Sequence, residues 1–548
     1  YEQLRNILIE DKGKIVIARY GKSWRGTKPK VAYENGAVGC IIYSDPRDDG
    51  YFEGDVYPEG AFRPPAGVQR GSVMDMPVHV GDPLSPGWAS EKGSRRLKLE
   101  ESVTLMKIPV LPISYEEAQP LLAKLEGPVA PEPWRGALPI TYHIGPGPST
   151  VRLALDFDWT TKPLFNVIAT MTGSTFPDQW ILYGNHHDAW VNGARDPVSG
   201  AAALLETARS FSELRKQGWR PARTIKFALW DAEEFGLIGS TEWAEKHKKD
   251  LTRNAIAYFN SDSNGKGTLS VGGTPVLQVF LSQVLRDIPD PGGNGSLLEK
   301  ARAARAPAHG GGEQEKQPAE FRVGALGAGS DYVAFIHHLG ISSANMGFSG
   351  DDKNGIYHSI YDSYHWYIKF SDSDFVYGKA LANVMTCSLM RLSEAALLPF
   401  EFGSAVTALK DQLSEIGKLK DAGKVNLSEV TKAVEALEKA TNRYEAEVSK
   451  GNWASTPQEK LAPINQLLYR SERVLLSEKG LPGREWYKYQ LSAPGLYTGY
   501  GAKTLPGIRE AIELGRWDEG NREAKSLATA LQSFAGEIEQ AAEMLAAL

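Results

Sequence analysis

The sequence predicts an α/β domain set between a β-rich or α+β amino-terminal domain and a helical carboxy-terminal domain. Three observations predict it. From residue 1 to about 150, short β-branched runs alternate with Pro/Gly-rich turns and helical periodicity is scarce. Between about 151 and 395, apolar strand, polar loop and helix repeat in turn. From about 396 to 548, apolar residues recur three and four apart, as on amphipathic helices. At 548 residues and 42% hydrophobic composition, the chain is too long for one core, so several domains are expected in any case.

Element by element, Lys14 to Tyr20 and Val38 to Tyr43 read as strands of the first domain. The central strands are read at Trp180 to Tyr183, Thr224 to Trp230 and Ala255 to Phe259, with a small-residue helix beginning near Ala201. Residues 290–320 carry Pro-Gly-Gly, a glycine run at 310–312 and mixed charge without an apolar period, which predicts a long exposed loop. Residues 427–437 have the spacing of a helix with one apolar face. No internal repeat of fixed period is present, which sets aside solenoids and propellers.

Composition excludes several functions. The net charge of −6 comes from 61 basic and 67 acidic residues without a long basic run, so nucleic acid is not an expected partner. Two cysteines, Cys40 and Cys387, rule out a disulfide framework and thiolate metal binding. No run approaches the roughly 20 apolar residues that span a bilayer. The start, Tyr1-Glu2-Gln3-Leu4, lacks the apolar stretch of a signal peptide, and a further segment upstream is expected.

Chemistry-bearing residues cluster just past the ends of predicted strands, where open α/β sheets bind ligands. After Tyr183 comes Gly184-Asn185-His186-His187-Asp188, pairing an imidazole with a carboxylate that can orient it. Asp196, in Ala194-Arg195-Asp196-Pro197, is placed to bridge two cations. The strand ending at Trp230 leads into Asp231-Ala232-Glu233-Glu234, where adjacent carboxylates repel unless cations or protons relieve them, so one can ligate while the other acts as a base. Asp262 follows the next strand, and His358 lies in Tyr357-His358-Ser359. Two histidines and three carboxylates without a thiolate suit a pair of zinc ions about 3.5–4 Å apart. Each motif alone is more often a hydrogen-bonding loop; order and strand-end placement give the set its weight.

In this order the motifs resemble the co-catalytic di-zinc peptidase family, in its glutamate carboxypeptidase II-like branch. The likeness extends through Tyr20-Gly21-Lys22-Ser23-Trp24-Arg25-Gly26, Val68-Gln69-Arg70-Gly71, Gly239-Ser240-Thr241-Glu242 and Pro506-Gly507-Ile508. It implies a protease-associated apical domain over 1–150, incomplete at its amino end, a zinc exopeptidase domain over 151–395 and a helical homodimerisation domain over 396–548. It implies two zinc ions per chain, with His186 and Asp262 on one, Glu234 and His358 on the other, Asp196 between them, Asp188 behind His186, Glu233 as base and Tyr357 at the oxyanion. The implied activity is hydrolysis of peptide bonds near a chain terminus by a carboxypeptidase, with aminopeptidase or dipeptidase activity as the alternative. A receptor-like member without catalysis is the alternative of another class, disfavoured because every ligand motif is intact. An extracytoplasmic location, secreted or periplasmic, also follows from the resemblance.

The same resemblance assigns the substrate pocket. Arg25, Tyr357 and Tyr500 match residues that grip a terminal carboxylate, and Gly329 and Ser330 match the pocket glycine and the residue after it. Ser72 and Gly499 stand where relatives bind a glutamate side chain through asparagine and lysine, so a neutral or apolar leaving residue is expected. Residues 342–347 lack the arginines that select an acidic residue on the other side of the scissile bond. Glu242 and Glu245 match a structural calcium site completed near Ser85 and Trp88; at three-residue spacing on a helix they read equally as a solvated face.

Overall fold

Parallel strands covered on both faces are built from near-continuous apolar runs, and the central runs of this chain behave in that way. The computed structural model describes residues 1, 4, 6, 9, 12–293, 295–304 and 321–548. In the first domain β1 (Ile15–Arg19), β2 (Gly39–Tyr43) and β3 (Val110–Ile113) form a parallel sheet, and β4 (Glu126–Val129) and β5 (His143–Gly145) an antiparallel pair. Helices α1 (Thr27–Glu34) and α2 (Tyr115–Leu122) accompany it, so helix is less scarce there than periodicity predicts. Eight-residue helices are too short to show a clear 3.6-residue period. Ile41, Tyr43, Ile113, Tyr115, Ala118 and Leu122 bury its core.

A six-stranded sheet forms the centre. It comprises β6 (Val167–Met171), β7 (Phe176–His186), β8 (Arg223–Trp230), β9 (Ala255–Asn260), β10 (Gly267–Gly273) and β11 (Ser343–Gly350). The spatial order is β10-β11-β9-β7-β8-β6. The four inner strands are parallel and the two edge strands antiparallel. Every residue of β9 is buried, as are Tyr183 and Trp230 near the ends of β7 and β8. Because the inner strands point one way, their carboxyl ends open onto a single edge.

Two helices bear on that edge. Helix α3 (Ser199–Lys216) starts beside it, and a Cβ on Gly200 would lie 1.9 Å from the Asp262 carbonyl and 2.4 Å from Asn185 Oδ1. Only glycine lets the helix start approach the strand ends so closely. Helix α4 (Ile238–Lys246) follows the turn after β8. Trp24, Met74, Met76 and Val80 pack into the same large core as the sheet, so part of the first 150 residues covers the central domain.

The segment expected as a loop contains a helix, α5 (Leu297–Ala303), while residues 294 and 305–320 lie outside the described residues. Ser296 and Glu299 form a capping box, and Leu297, Leu298 and Ala301 are buried. Seven residues are again too few to display a period, and the cap is the signal that identifies it. The carboxy-terminal domain is helical, with α6 (Ser428–Lys450) packed on α7 (Trp517–Ala546). Val430, Val434, Leu437 and Tyr444 face Leu527, Leu531, Phe534 and Ile538 within one continuous core. Among the described residues no helix is long and apolar enough to cross a membrane.

Candidate metal centre and substrate cavity

His186 ends β7, and Asn185 before it ties the sheet edge together: Oδ1 accepts from Ser261 Oγ at 2.6 Å, and Nδ2 donates to the Pro197 carbonyl at 3.3 Å. His186 Nδ1 lies 3.0 Å from the Asp188 carbonyl and 3.3 Å from Asp188 Oδ1. Both are acceptors, so Nδ1 carries the proton and Nε2 presents its lone pair. That Nε2 is buried without a hydrogen-bond partner, 3.3 Å from Asp262 Oδ1, 3.4 Å from Asp196 Oδ1 and 3.9 Å from Glu233 Oε2.

His358 mirrors this arrangement. Its Nδ1 lies 3.0 Å from the Arg70 carbonyl, which can only accept, so the 3.4 Å approach of Arg25 Nη2 to the same nitrogen is not a hydrogen bond. Nε2 then faces Glu234 Oε2 at 3.1 Å and Asp196 Oδ2 at 3.5 Å. Asp196 thus turns one oxygen to each histidine. Two sets of three donors, His186-Glu233-Asp262 and Asp196-Glu234-His358, converge with their ligand atoms within 4.8 Å of one another. The unpartnered His186 Nε2 and the unpartnered, buried Glu234 Oε1 both fit cation ligation. Thiolates take no part, so the donor set suits zinc and harder divalent ions.

Backbone amides hold the carboxylates in register. Asp188 accepts from the Glu233 N–H at 2.9 Å and the Glu234 N–H at 3.2 Å, clamping the turn after β8 as well as orienting His186. Asp362 does the same for the loop before α3, accepting from the Arg195 N–H at 2.7 Å and the Asp196 N–H at 3.0 Å. Sequence reasoning assigned Asp362 no role, although its place in the His358 motif was the available signal. Asp331 was also missed: it is fully buried near His186, both oxygens unpartnered, and burial pushes its carboxyl up to about 7.

Charge is crowded here. Burial raises Glu233 well above the ordinary carboxylate range and also raises Glu234. Burial works against a charged His186, yet the carboxylates of Asp262 and Glu233 outweigh it and hold that imidazole well above its usual value. Burial likewise opposes ionisation of Asp196, but the adjacent His186 and His358 imidazoles keep it well below the carboxylate range. Paired buried groups displaced in opposite directions mark a site that lacks positive charge.

A cavity of about 310 Å³ opens over these groups, lined by Arg25, Arg195, Gly329, Asn345, Tyr357 and Tyr500 among others. Arg25 is buried; Nη2 donates to Tyr500 Oη at 2.7 Å and Tyr357 Oη at 3.3 Å, and Nη1 donates to the Ser72 carbonyl at 3.3 Å. Among the described residues no carboxylate lies within ion-pair distance of it. Arg63, from the first domain, is fully buried, pairs with Asp49 at 2.8 Å and donates to the Tyr357 carbonyl at 3.1 Å, fixing the loop that presents Tyr357 and His358.

Three expected pocket residues are not brought to the cavity wall. Ser72 donates its hydroxyl to the Phe235 carbonyl at 3.1 Å and serves Arg25 through its backbone. Ser330 lies beneath, accepting from Asn260 Nδ2 at 3.0 Å. Gly499, at φ +71°, backs Trp24, where a Cβ would fall 2.1 Å from the Trp24 Cβ. Elsewhere, Glu242 accepts from the Asp82 and Ser90 amides at 2.8 and 2.5 Å, and Glu245 accepts from the Gly87 amide at 3.1 Å. Glu245 Oε2 and Ser85 Oγ are buried without partners, whereas the Trp88 indole donates to the Arg95 carbonyl at 2.8 Å.

Comparison with known proteins follows this geometry. The pattern described as Peptidase family M28 matches residues 166–371, the Transferrin receptor-like dimerisation domain matches 425–539, and the PA domain matches 6–76. The chain is 36% identical to a probable glutamate carboxypeptidase, LAMP1, of Arabidopsis thaliana, covering 89% of this chain and 68% of that protein. It is 35% identical to a probable glutamate carboxypeptidase of Arthroderma benhamiae, covering 94% and 71%. It is 32% identical to the aminopeptidase NAALADL1 of Rattus norvegicus, covering 97% and 75%.

Asp188→Ala removes the carboxylate contact to His186 Nδ1, leaving the backbone carbonyl to orient the ring, and takes away both amide anchors at once. It is expected to weaken divalent-metal binding by about 10–100-fold, read by competition with a chromogenic chelator. Unchanged affinity refutes the role given to Asp188.

Proposed function

The chain belongs to the glutamate carboxypeptidase II-like family of M28 peptidases, and on that premise we propose that it is a di-zinc exopeptidase acting as a carboxypeptidase. The observation that carries this reading is the pair of three-donor groups, His186-Glu233-Asp262 and Asp196-Glu234-His358, with Asp196 turning one oxygen toward each histidine and His186 Nε2 buried and unpartnered. His186 and Asp262 would hold one ion, Glu234 and His358 the other, and Asp196 both. When bound, such a pair polarises the scissile carbonyl and acidifies the attacking water.

The chain's own residues account for the rest. Of the three carboxylates around His186 Nε2, Glu233 stands back at 3.9 Å against 3.3 Å for Asp262 and 3.4 Å for Asp196, and is therefore the one free to take the proton from water and return it to the leaving amine. The Tyr357 hydroxyl, in the cavity beside His358, donates toward the oxygen that becomes negative during attack. Arg25, buried, held by two phenols and without an acidic partner, is suited to a bidentate grip on a chain-terminal carboxylate. With no cation at the Ser72 and Gly499 positions, a neutral or apolar leaving residue suits the pocket.

Two further readings accompany this one. The helical domain pairs two copies of the chain, which light scattering of the purified protein tests. Glu242 and Glu245 hold a structural calcium; burial, then the Glu245 charge, pushes Glu242 up to about 8, and Glu245 Oε2 is left for a cation. Calcium should therefore raise the melting temperature of the chelator-treated protein by a few degrees, and Glu242→Gln/Glu245→Gln should abolish the rise. No response to millimolar calcium in scanning calorimetry would remove that site.

Glu233→Gln should retain both metals by elemental analysis and lose about 10²–10⁴-fold in kcat. If the variant loses a metal while turnover persists, Glu233 and Glu234 have exchanged roles.

Chain polarity is decided by peptides blocked at one end. Amidation of the carboxyl terminus should abolish cleavage and acetylation of the amino terminus should be tolerated, with Arg25→Ala raising KM sharply. The reverse pattern, monitored by mass spectrometry, would make the enzyme an aminopeptidase.

A further inference from the structure

A second groove, of about 1040 Å³, lies between the central and helical domains. None of the residues that line it also line the catalytic cavity. One wall is the short helix Lys248–Asn254, and the other is built by the helix Gln458–Arg470 and the end of α7. Between them Leu467, Val474 and Met544 supply half-buried apolar surface.

Two arginines hold the walls together. Arg470 Nη2 donates to the Arg253 carbonyl at 2.7 Å and Arg473 Nη2 to the Ala255 carbonyl at 2.5 Å, where the short helix runs into β9. A carbonyl satisfies an N–H donor but carries no net charge, so both guanidinium charges stay uncompensated. The groove is thus braced before any ligand arrives.

Charge sets this surface apart. Lys248, Lys249, Arg253, Arg470 and Arg473 all line it, and among the described residues none has a carboxylate within ion-pair distance. Lys248 donates to His338 Nε2 at 3.2 Å, a neutral acceptor because the Nδ1 proton goes to the Trp486 carbonyl. Glu537 is the single acidic residue among the lining residues, while Glu539 and Glu543 of the same helix are taken up by Arg443. Five cations against one carboxylate form a local excess in a chain whose net charge is −6.

An anion complements such a surface, and the form of the groove distinguishes among anions. A flat lipid surface would meet the tips of the basic side chains and leave the concave floor uncovered. A lone acyl chain needs a pocket that encloses most of its surface, whereas Lys249, Thr252, Arg253 and Gln540 stand exposed here. The side chains of Thr252 and Gln540, one on each wall, have no hydrogen-bond partner among the described residues and offer donors and acceptors that match main-chain amides.

We propose that this groove is a docking site for an acidic peptide segment of another protein, with carboxylates on the basic walls and an apolar side chain against Leu467, Val474 and Met544. The two exposed cations of the short helix, Lys249 and Arg253, are the ones that a ligand meets first.

The test is fluorescence polarisation of the peptide Glu-Glu-Leu-Glu-Glu-Leu-Glu, labelled at its amino end and amidated at its carboxyl end, with the metal-replete full chain. Blocked at both ends, the probe offers no free terminus to the catalytic cavity. Saturable binding of one peptide per chain is expected, weakened by added salt and weakened at least about tenfold by Lys249→Glu/Arg253→Glu at unchanged melting temperature. Thr252→Trp, which narrows the groove without altering its charge, should also lower the affinity. Absence of saturable binding overturns the assignment, as does affinity that survives the charge reversal or equal binding of the peptide with Lys in place of Glu. Two further results overturn it by naming another occupant. One is charge-dependent retention on phosphatidylglycerol vesicles that the peptide does not displace; the other is dissociation of the protein's own assembly by the peptide in sedimentation velocity, which makes the groove a contact between copies of the chain.

Discussion

Asp196, Glu233, Glu234 and Asp262 meet at one sheet edge where, among the described residues, His186 and His358 are the basic groups in ion-pair contact with them, and like charges so close resist ionisation in a buried setting. Much of the central domain can be understood as an answer to that crowding. Asp188 and Asp362 spend their own charge on four backbone amides, which keeps the turns that carry the ligands from relaxing apart. Gly200 admits the start of α3 against the Asp262 carbonyl. The remaining deficit of positive charge is one that divalent cations relieve.

Beneath the edge the support is polar and continuous. Trp230 donates to Tyr258, Tyr258 to Asn260, and Asn260 to both Ser330 and Asn345, each contact between 2.8 and 3.0 Å. Tyr258 also stacks on Phe335 with ring centroids 3.9 Å apart. A chain of satisfied, buried hydrogen bonds linking three strands leaves the site little freedom to distort, because shifting one member strands the next. Ser330 belongs to this foundation, which explains why it does not face the cavity.

The central strands were legible in the sequence because doubly covered strands are unbroken apolar runs, and the metal donors were legible because they directly follow those runs. What escaped depends on contacts between residues far apart in the chain. Arg63 reaches Tyr357 across 294 residues, and nothing in its local sequence marks it. Arg195 was visible as a letter beside Asp196, but its unpaired Nε appears only once Asp352 and Gly265 are folded around it. The family resemblance misplaced Ser72 and Gly499 for a related reason. Without side chains long enough to reach the cavity, those positions turn to holding Arg25 and Trp24. Helix α5 escaped through brevity alone.

The Arg63 hydrogen bond to the Tyr357 carbonyl, together with the origin of Arg25 and Tyr500, has a consequence for how such an enzyme can diversify. All five proposed metal donors and Glu233 come from the span matched as the peptidase domain, residues 166–371. Arg25 and Tyr500, which the proposed reading puts at the substrate terminus beside Tyr357, lie on either side of that span. Part of the cavity wall is thus encoded outside the stretch that supplies the candidate hydrolytic residues. Exchange of the flanking stretches would reshape that part of the wall while the candidate metal donors pass unchanged, provided the graft supplies a donor for the Tyr357 carbonyl.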